Sequence, residues 1–300
     1  MARTRFAPDR QLSTRMVVTM FLLGLLYVAF VGVLLAVAKS AVVALLIAAG
    51  FLVFQYFASD RIALFAMGGK EVDARQAPGL HAIVDRLCAL ADMPKPRVAI
   101  ADVDMPNAFA TGRNPSHAVV CVTTGLMRRL DEPEVEAVLA HELSHVAHRD
   151  VAVMTIASFL GIAAGLVTRF AFYSSMFGGG RDREGGAPVI LVVMLVSIVV
   201  YAISFLLTRA LSRYRELSAD RAGAILIGRP STLASALTKV SGQMSRIPSR
   251  DLRRAEPLNA FFFTPALSKD FSLSTLFSTH PSLPRRLEQL SRLENELGRA

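Results

Sequence analysis

The chain has 300 residues, of which 53% are hydrophobic, and its formal net charge is +9 at neutral pH. With its positive mean hydropathy, this composition excludes an ordinary soluble domain and indicates segments that cross a membrane. The arginines cluster beside apolar runs, which is typical of topology signals and not of a nucleic-acid-binding surface. The two cysteines form no C-x-x-C pattern, so neither a disulfide framework nor a zinc knuckle is expected.

Two apolar runs open the chain. Residues 16–38 are uncharged and long enough to span a hydrocarbon core of about 30 Å, and we expect a retained anchor, not a cleaved signal peptide. A second uncharged run, residues 41–58, follows a short turn at Lys39. Residues 1–59 are therefore predicted to form a basic N-terminus and two transmembrane helices.

Residues 60–150 change to a globular pattern. Helical spacing predicts a helix over residues 77–91, with His81 on its surface. Stretches rich in β-branched residues predict strands at 97–101 and 117–123.

An extended segment, residues 106–112, lies between these strands. We expect a small sheet packed on the helix that follows, with Asn107 and Ala108 at an open edge where a substrate peptide adds as a further strand. A simple turn is the competing interpretation of Asn107.

The pattern His-Glu-x-x-His follows at residues 141–145. Asp131 as N-cap and Pro133 in the first turn predict a helix, half-buried, with the histidines at the edge of its buried face. Positions four apart share a helix face, so His141 and His145 can bind one zinc ion. Glu142 can then take a proton from the attacking water, which predicts peptide hydrolysis. Residues 60–150 are therefore predicted to form the first half of a catalytic domain. A solvated helix face is the competing interpretation.

Residues 151–208 hold two further apolar runs, 151–168 and 187–208. They are predicted to form a transmembrane hairpin around a flexible, glycine-rich loop at 174–188. The chain therefore returns to its original side of the membrane before residue 209.

Glu216 and Asp220 come directly after this hairpin, four residues apart and thus on one helix face. A hydrolytic zinc ion usually has three protein ligands, and Glu216 is the candidate for the third. Asp220 would accept a hydrogen bond from the second ring nitrogen of a liganding histidine. The alternatives are an acid pair on the helix surface, or His148 as third ligand, although His148 lies a further turn along the helix.

Residues 209–300 are predicted to form the second half of the catalytic domain. An amphipathic helix over 221–246, broken near Gly228, is followed by a final charged helix over 282–297. His280 precedes that last helix and is a candidate for polarising a substrate carbonyl or an oxyanion. A surface position is the competing interpretation of His280.

The chain resembles the HtpX-type membrane zinc metalloproteases, which are relatives of the CAAX prenyl endoproteases. The resemblance covers nearly the whole chain and rests on the order of its motifs: residues 107–112, Thr124-Gly125-Leu126, residues 141–145 with Arg149-Asp150, Glu216 with Asp220, and Thr279-His280-Pro281 with Arg286. It implies an α-rich polytopic membrane protein with four transmembrane helices. It also implies a cytosolic zincin-like α+β domain of gluzincin type, whose small sheet lies against the zinc helix.

The resemblance further implies one Zn²⁺ per chain, bound by His141, His145 and Glu216, with Glu142 as catalytic base. It implies a cytoplasmic active site and a role in membrane-protein quality control. The chain departs from its relatives at His148, where they more often carry asparagine. The expected partners are protein substrates, chiefly membrane proteins, and the lipid bilayer.

The arginine clusters agree with this orientation. Arg3 to Arg15 and Arg209 to Arg215 fall on one side of the predicted spans, and arginine-rich flanks stay cytoplasmic. The sequence therefore predicts a multi-pass cell-membrane protein with its catalytic domain and both termini in the cytoplasm.

Three rival functions remain at this stage. One is a processing protease for lipidated or prenylated C-termini, and another is a membrane scaffold that keeps zinc only for folding. The intact Glu142 argues against the scaffold, because a structural site needs no base. A metal transporter is disfavoured because the apolar runs have no ionisable residue in mid-span.

Overall fold

The computed structural model describes residues 6, 9–37, 49–50, 53, 57, 61, 63–151, 153–154, 186–244 and 280–299. Most residues of the predicted spans at 41–58 and 151–168, and of the predicted loop at 174–188, lie outside them. In chain order the elements are α1 (Arg10–Val37), β1 (Gly69–Glu71), α2 (Pro78–Ala91), β2 (Arg97–Ala101), β3 (Ala108–Thr111), β4 (Val119–Thr123), α3 (Thr124–Arg129), α4 (Glu132–His148), α5 (Gly186–Ile227), α6 (Pro230–Met244) and α7 (Leu283–Leu297).

The chain divides into two compact units. The first, called the sheet unit, comprises Met1–Leu12, Ala58–Ala152 and Ser212–Ala300. The second, called the apolar unit, comprises Ser13–Phe57 and Val153–Leu211.

The apolar unit contains most of α1 and the first part of α5. Among the described residues, two stretches are long and apolar enough to cross a membrane, Arg10–Gly32 and Leu191–Ile227, and only 17% of the most apolar 18 residues of each is buried. Their large apolar side chains, such as Phe21 and Val199, are mostly exposed. Such a surface is unfavourable in water and suits contact with lipid tails.

A four-stranded mixed sheet lies in the sheet unit, in the order β1-β2-β4-β3. The central strand β4 is buried along its whole length; it pairs in parallel with β2 and antiparallel with β3. The predicted strand at 97–101 is confirmed, whereas β4 begins at Val119 because Pro115–His117 form a 3₁₀ turn. Strand β1 was not predicted.

Gly112 makes the turn after β3 possible. Its φ angle is +134°, and a Cβ atom there would lie 2.3 Å from the carbonyl oxygen of His117. Only glycine tolerates this combination, so the outer strand β3 ends at a defined residue.

The predicted helix at 77–91 is confirmed as α2, but the surface position predicted for His81 is wrong. His81 is buried, and its Nε2 lies 3.0 Å from the carbonyl oxygen of Val72. Hydrophobic spacing did not indicate this because the contact is with the chain ahead of the helix. The predicted break after α5 is confirmed at Gly228, whose φ is +66°.

One hydrophobic core joins the sheet to the helices of the sheet unit, through residues such as Leu87, Val120, Leu139, Leu237 and Leu290. The predicted packing of the sheet on the His-Glu-x-x-His helix is confirmed, since α4 contacts both β3 and β4.

The N-terminal segment also belongs to the sheet unit. Phe6 is 3% exposed in that core, and its ring lies 6.2 Å from that of His148. Asp9 caps α1 by accepting the N–H of Leu12, and it also accepts a 2.7 Å hydrogen bond from the hydroxyl of Ser218.

Candidate metal centre

The helix α4 presents the His-Glu-x-x-His pattern. It begins with a capping box, because the Asp131 side chain accepts the N–H of Glu134 and the Glu134 side chain accepts the N–H of Asp131. The predicted N-cap is thus confirmed. The prediction of a half-buried helix is wrong, since Val135 and all of residues 137–146 are buried. Small residues such as Ala140 carry little hydrophobic signal, so the periodicity hid the other buried faces.

Three potential ligands converge in the sheet unit. The Nε2 atoms of His141 and His145 lie 3.6 Å and 3.5 Å from the two carboxylate oxygens of Glu216. The two imidazole rings meet edge to face, 4.9 Å apart. All three residues are buried, and each offers a ligand atom within 4.8 Å of the others.

This arrangement fits a tetrahedral metal. Zinc bonds to nitrogen and oxygen of about 2.0–2.2 Å imply ligand atoms roughly 3.3–3.6 Å apart in a tetrahedral site. The distances from Glu216 to both histidines lie in that range. Among the described residues, His148 is not part of the convergent group, which consists of His141, His145 and Glu216.

Asp220 orients the first histidine. Its Oδ1 lies 2.9 Å from Nδ1 of His141, which directs the other ring nitrogen towards Glu216. Arg286 donates two hydrogen bonds to the same carboxylate, from Nε to Oδ2 at 2.7 Å and from Nη2 to Oδ1 at 2.6 Å. All these groups are buried, so the fork of Arg286 compensates for the burial of Asp220.

Asp150 orients the second histidine, His145, in the same way. Its Oδ2 lies 2.9 Å from Nδ1 of His145. The guanidinium of Arg215 lies 3.9 Å from Asp150 Oδ1 and donates a 3.2 Å hydrogen bond to Glu216 Oε1. Each ring therefore has its own carboxylate, and each carboxylate has its own arginine.

Sequence reasoning assigned no site role to Asp150, Arg215 or Arg286. Arg215 was interpreted as a topology signal because it stands in an arginine cluster beside an apolar run. Asp150 lies just beyond the end of α4, where the regular helical spacing no longer applies. Only the motif order of the resemblance drew attention to Asp150 and Arg286.

Glu142 is 5% exposed and lies beside the ligand group. Its Oε2 accepts the N–H of Ala110 at 3.0 Å, so the strand β3 fixes the carboxylate. Burial raises the pKa of the Glu142 carboxyl, although the two adjacent histidines oppose this. A carboxylate whose pKa is raised accepts and returns a proton more readily near neutral pH.

The electrostatics of His141 depend on its acidic neighbours. Burial lowers its pKa, but Asp220 and Glu216 outweigh burial and raise the pKa to about 9. Without a metal the imidazole therefore binds a proton, and a metal cation must compete with that proton for the ring nitrogen.

His280 is buried beside the third candidate ligand. Its Nδ1 lies 3.2 Å from Oε2 of Glu216. The last helix, α7, begins three residues later and also carries Arg286, so one segment brings both side chains to the group.

Ala108 begins the outer strand β3, and Asn107 immediately precedes it. Asn107 pairs inwards, donating its N–H to Thr123 Oγ1 and accepting the N–H of Thr123, both at 2.9 Å. The alternation of an antiparallel ladder then turns the backbone groups of Ala108 and Ala110 towards the open edge.

The chain is similar to known proteins over most of its length. Residues 74–294 match the family described as Peptidase family M48. The chain is 63% identical over 298 residues to Protease HtpX homolog 1 of Streptomyces coelicolor, covering 99% of this chain and 98% of that protein. It is 55% identical over 296 residues to Protease HtpX homolog of Moorella thermoacetica, with 98% of each covered. The crystal structure of S. mikatae Ste24p shares the fold, with a TM-score of 0.52 at 19% identity over 94% of this chain and 67% of that one.

Proposed function

The chain belongs to peptidase family M48, and on that premise we propose that it is a zinc-dependent endopeptidase that cleaves misfolded or damaged membrane proteins. The observation that carries the proposal is the convergence of His141, His145 and Glu216 within 4.8 Å, with the buried carboxylate of Glu142 beside them. Two imidazoles and one carboxylate are the donors of hydrolytic zinc sites that keep one position open.

One Zn²⁺ per chain, held by these three side chains, would lower the pKa of water and polarise the substrate carbonyl. Glu142 takes the proton that the water loses as its oxygen attacks the scissile carbonyl carbon. The carbon–nitrogen bond then breaks, and Glu142 passes that proton to the leaving amine nitrogen. The hydrogen bond from Ala110 keeps Glu142 in place during both transfers.

The outer edge of β3 is the proposed binding strand for substrate. An extended peptide would pair with the outward backbone groups of Ala108 and with the outward carbonyl of Ala110, while the N–H of Ala110 stays bonded to Glu142. A small open cleft beside His145 continues from the end of β3 and is lined in part by Thr111 and Arg149. Because this edge binds a peptide in extended form, unfolded segments of a substrate protein would bind in preference to folded ones.

We propose that His280 stabilises the oxyanion that forms when water attacks the substrate carbonyl. Its position against Glu216 puts an imidazole at the rim of the ligand group, where an N–H donor stabilises negative charge. Replacement of His280 by alanine is expected to lower kcat while the protein retains its metal.

The membrane arrangement is part of the same proposal. The helix α1 and the first part of α5 would form two of four transmembrane helices, and the predicted runs at 41–58 and 151–168 would form the other two. Arginine-rich flanks favour a cytoplasmic catalytic domain and cytoplasmic termini. In this arrangement residues 1–59 and 151–208 contain the transmembrane helices, and residues 60–150 and 209–300 form the two halves of the catalytic domain.

The decisive experiment compares the wild type with Glu142→Gln, purified in detergent and loaded with zinc. The variant should keep one zinc ion per chain and lose cleavage of an unfolded model membrane protein by about 10²–10⁴-fold, because only the proton acceptor is removed. Persistent cleavage by the variant would contradict the mechanism. Glu216→Gln should instead lower the zinc content.

A prenylated peptide digested in parallel tests the rival processing function. Selective cleavage of that peptide, with the unfolded membrane protein left intact, would replace the quality-control role. A wild type that binds zinc and cleaves neither substrate would favour the scaffold.

A further inference from the structure

Gly223 lies on α5 directly against the backbone of the helix that carries the histidines. A Cβ atom at Gly223 would lie 2.8 Å from the backbone nitrogen of His141, and 3.0 Å from both the carbonyl carbon of Ala140 and the Cα of His141. Atoms at such distances overlap, because carbon atoms in contact are about 3.5–4.0 Å apart. The colliding atoms are backbone atoms of a buried helix, so no side-chain rotation relieves the clash.

Gly223 shares a helix face with the acidic residues of the site. Glu216, Asp220 and Gly223 stand at positions i, i+4 and i+7 of α5, which brings them to the side that faces α4. The spacing between the two helices at Gly223 therefore also determines how far Glu216 reaches towards His141 and His145.

We propose that Gly223 is a positioning residue for the metal centre: its missing side chain lets α5 approach α4 closely enough for Glu216 to serve as the third ligand. The inference rests on the zinc site proposed above. An alanine here would push the helices apart by roughly 0.5–1 Å, the difference between the overlap and an ordinary contact. Metal sites hold their ligand distances to within about 0.2 Å, so that shift withdraws the carboxylate.

The test measures zinc affinity of the full chain in detergent by competition with a chromophoric chelator. Every protein carries Glu142→Gln, which prevents self-digestion. Gly223→Ala should weaken zinc binding by about 10–100-fold, the loss typical of misplaced ligand supports. Gly79→Ala is the matched control, because a Cβ at that helical glycine has no atom within 4 Å. It should leave zinc affinity unchanged.

A double-mutant cycle separates positioning from general destabilisation. If Gly223 acts through Glu216, adding Gly223→Ala to Glu216→Gln should cause no further loss of affinity. The cobalt-substituted Gly223→Ala protein should also show a changed visible absorption spectrum, which reports ligand geometry independently of the folded fraction.

Three results would overturn the inference: wild-type zinc affinity in Gly223→Ala, an undiminished further loss in the Glu216→Gln background, or complete loss of the helical circular dichroism signal. The last would show that the close approach holds the whole fold. Unchanged zinc binding in Glu216→Gln alone would instead contradict the proposed site, so the two failures are distinct.

Discussion

Asp220 and Asp150 each hold one of the two histidines by its Nδ1 atom, at 2.9 Å in both cases. Replacing either carboxylate by an amide keeps its size but weakens the hydrogen bond that sets the imidazole tautomer. We expect Asp220→Asn and Asp150→Asn each to weaken zinc binding by about 10–100-fold. Chelator competition measures this, and exposed Asp85→Asn is a control that should bind zinc as the wild type does. Full affinity in both amide variants would show that the carboxylates do not orient the rings.

Acid should weaken metal binding through His141. Its carboxylate neighbours raise its pKa to about 9 in the metal-free protein, so a proton must leave before the ring binds a cation. Apparent zinc affinity is therefore expected to rise with pH up to about 9, by roughly tenfold per pH unit, as the proton is lost. Isothermal titration at pH 6.5, 7.5 and 8.5 checks this slope. A flat profile would mean that His141 is already neutral without metal.

The ligands could be proposed from the sequence because helical spacing is local. His141 and His145 are one turn apart, and so are Glu216 and Asp220. This spacing also indicated Asp220, but it did not reveal the other residues that support the site, Asp150, Arg215 and Arg286. Arg286 reaches Asp220 across 66 positions, and no periodicity within one segment indicates such a partner.

At the scale of the element, the capping box fixes where the metal helix begins. Asp131→Ala removes the acceptor for the Glu134 N–H, 3.0 Å away, and is expected to lower the free energy of unfolding by about 1 kcal/mol. Thermal unfolding followed by circular dichroism measures the loss. Asp131→Ser retains a capping oxygen and should stay close to the wild type. Equal destabilisation by both would show that another feature of Asp131 matters.

Element types followed largely from spacing and turn residues, whereas burial did not. Helices α2 and α7 show clear periodicity, and β-branched residues indicated β4. Strand β1, Gly69–Glu71, is three residues long and has no β-branched side chain, and it exists only by pairing with β2. The full burial of α4 likewise depends on neighbours from distant parts of the chain.

At the scale of the whole molecule, residues before the first long helix stabilise the sheet unit by packing into its core. Phe6 is 3% exposed in the main core, so Phe6→Ala leaves a cavity and is expected to cost up to about 3–5 kcal/mol. The melting temperature in detergent should fall clearly. Phe65→Ala is the control, because Phe65 is 89% exposed in the same unit. Similar melting of both variants would mean that Phe6 contributes little to stability.

The hydrogen bond between Ser218 and Asp9 joins residues 209 positions apart. Two groups in direct contact lie on the same side of a membrane, so we expect the intervening chain to cross the proposed bilayer an even number of times. A single passage or three passages are incompatible with that bond. Reporter enzymes fused at either terminus should therefore be active, or silent, together.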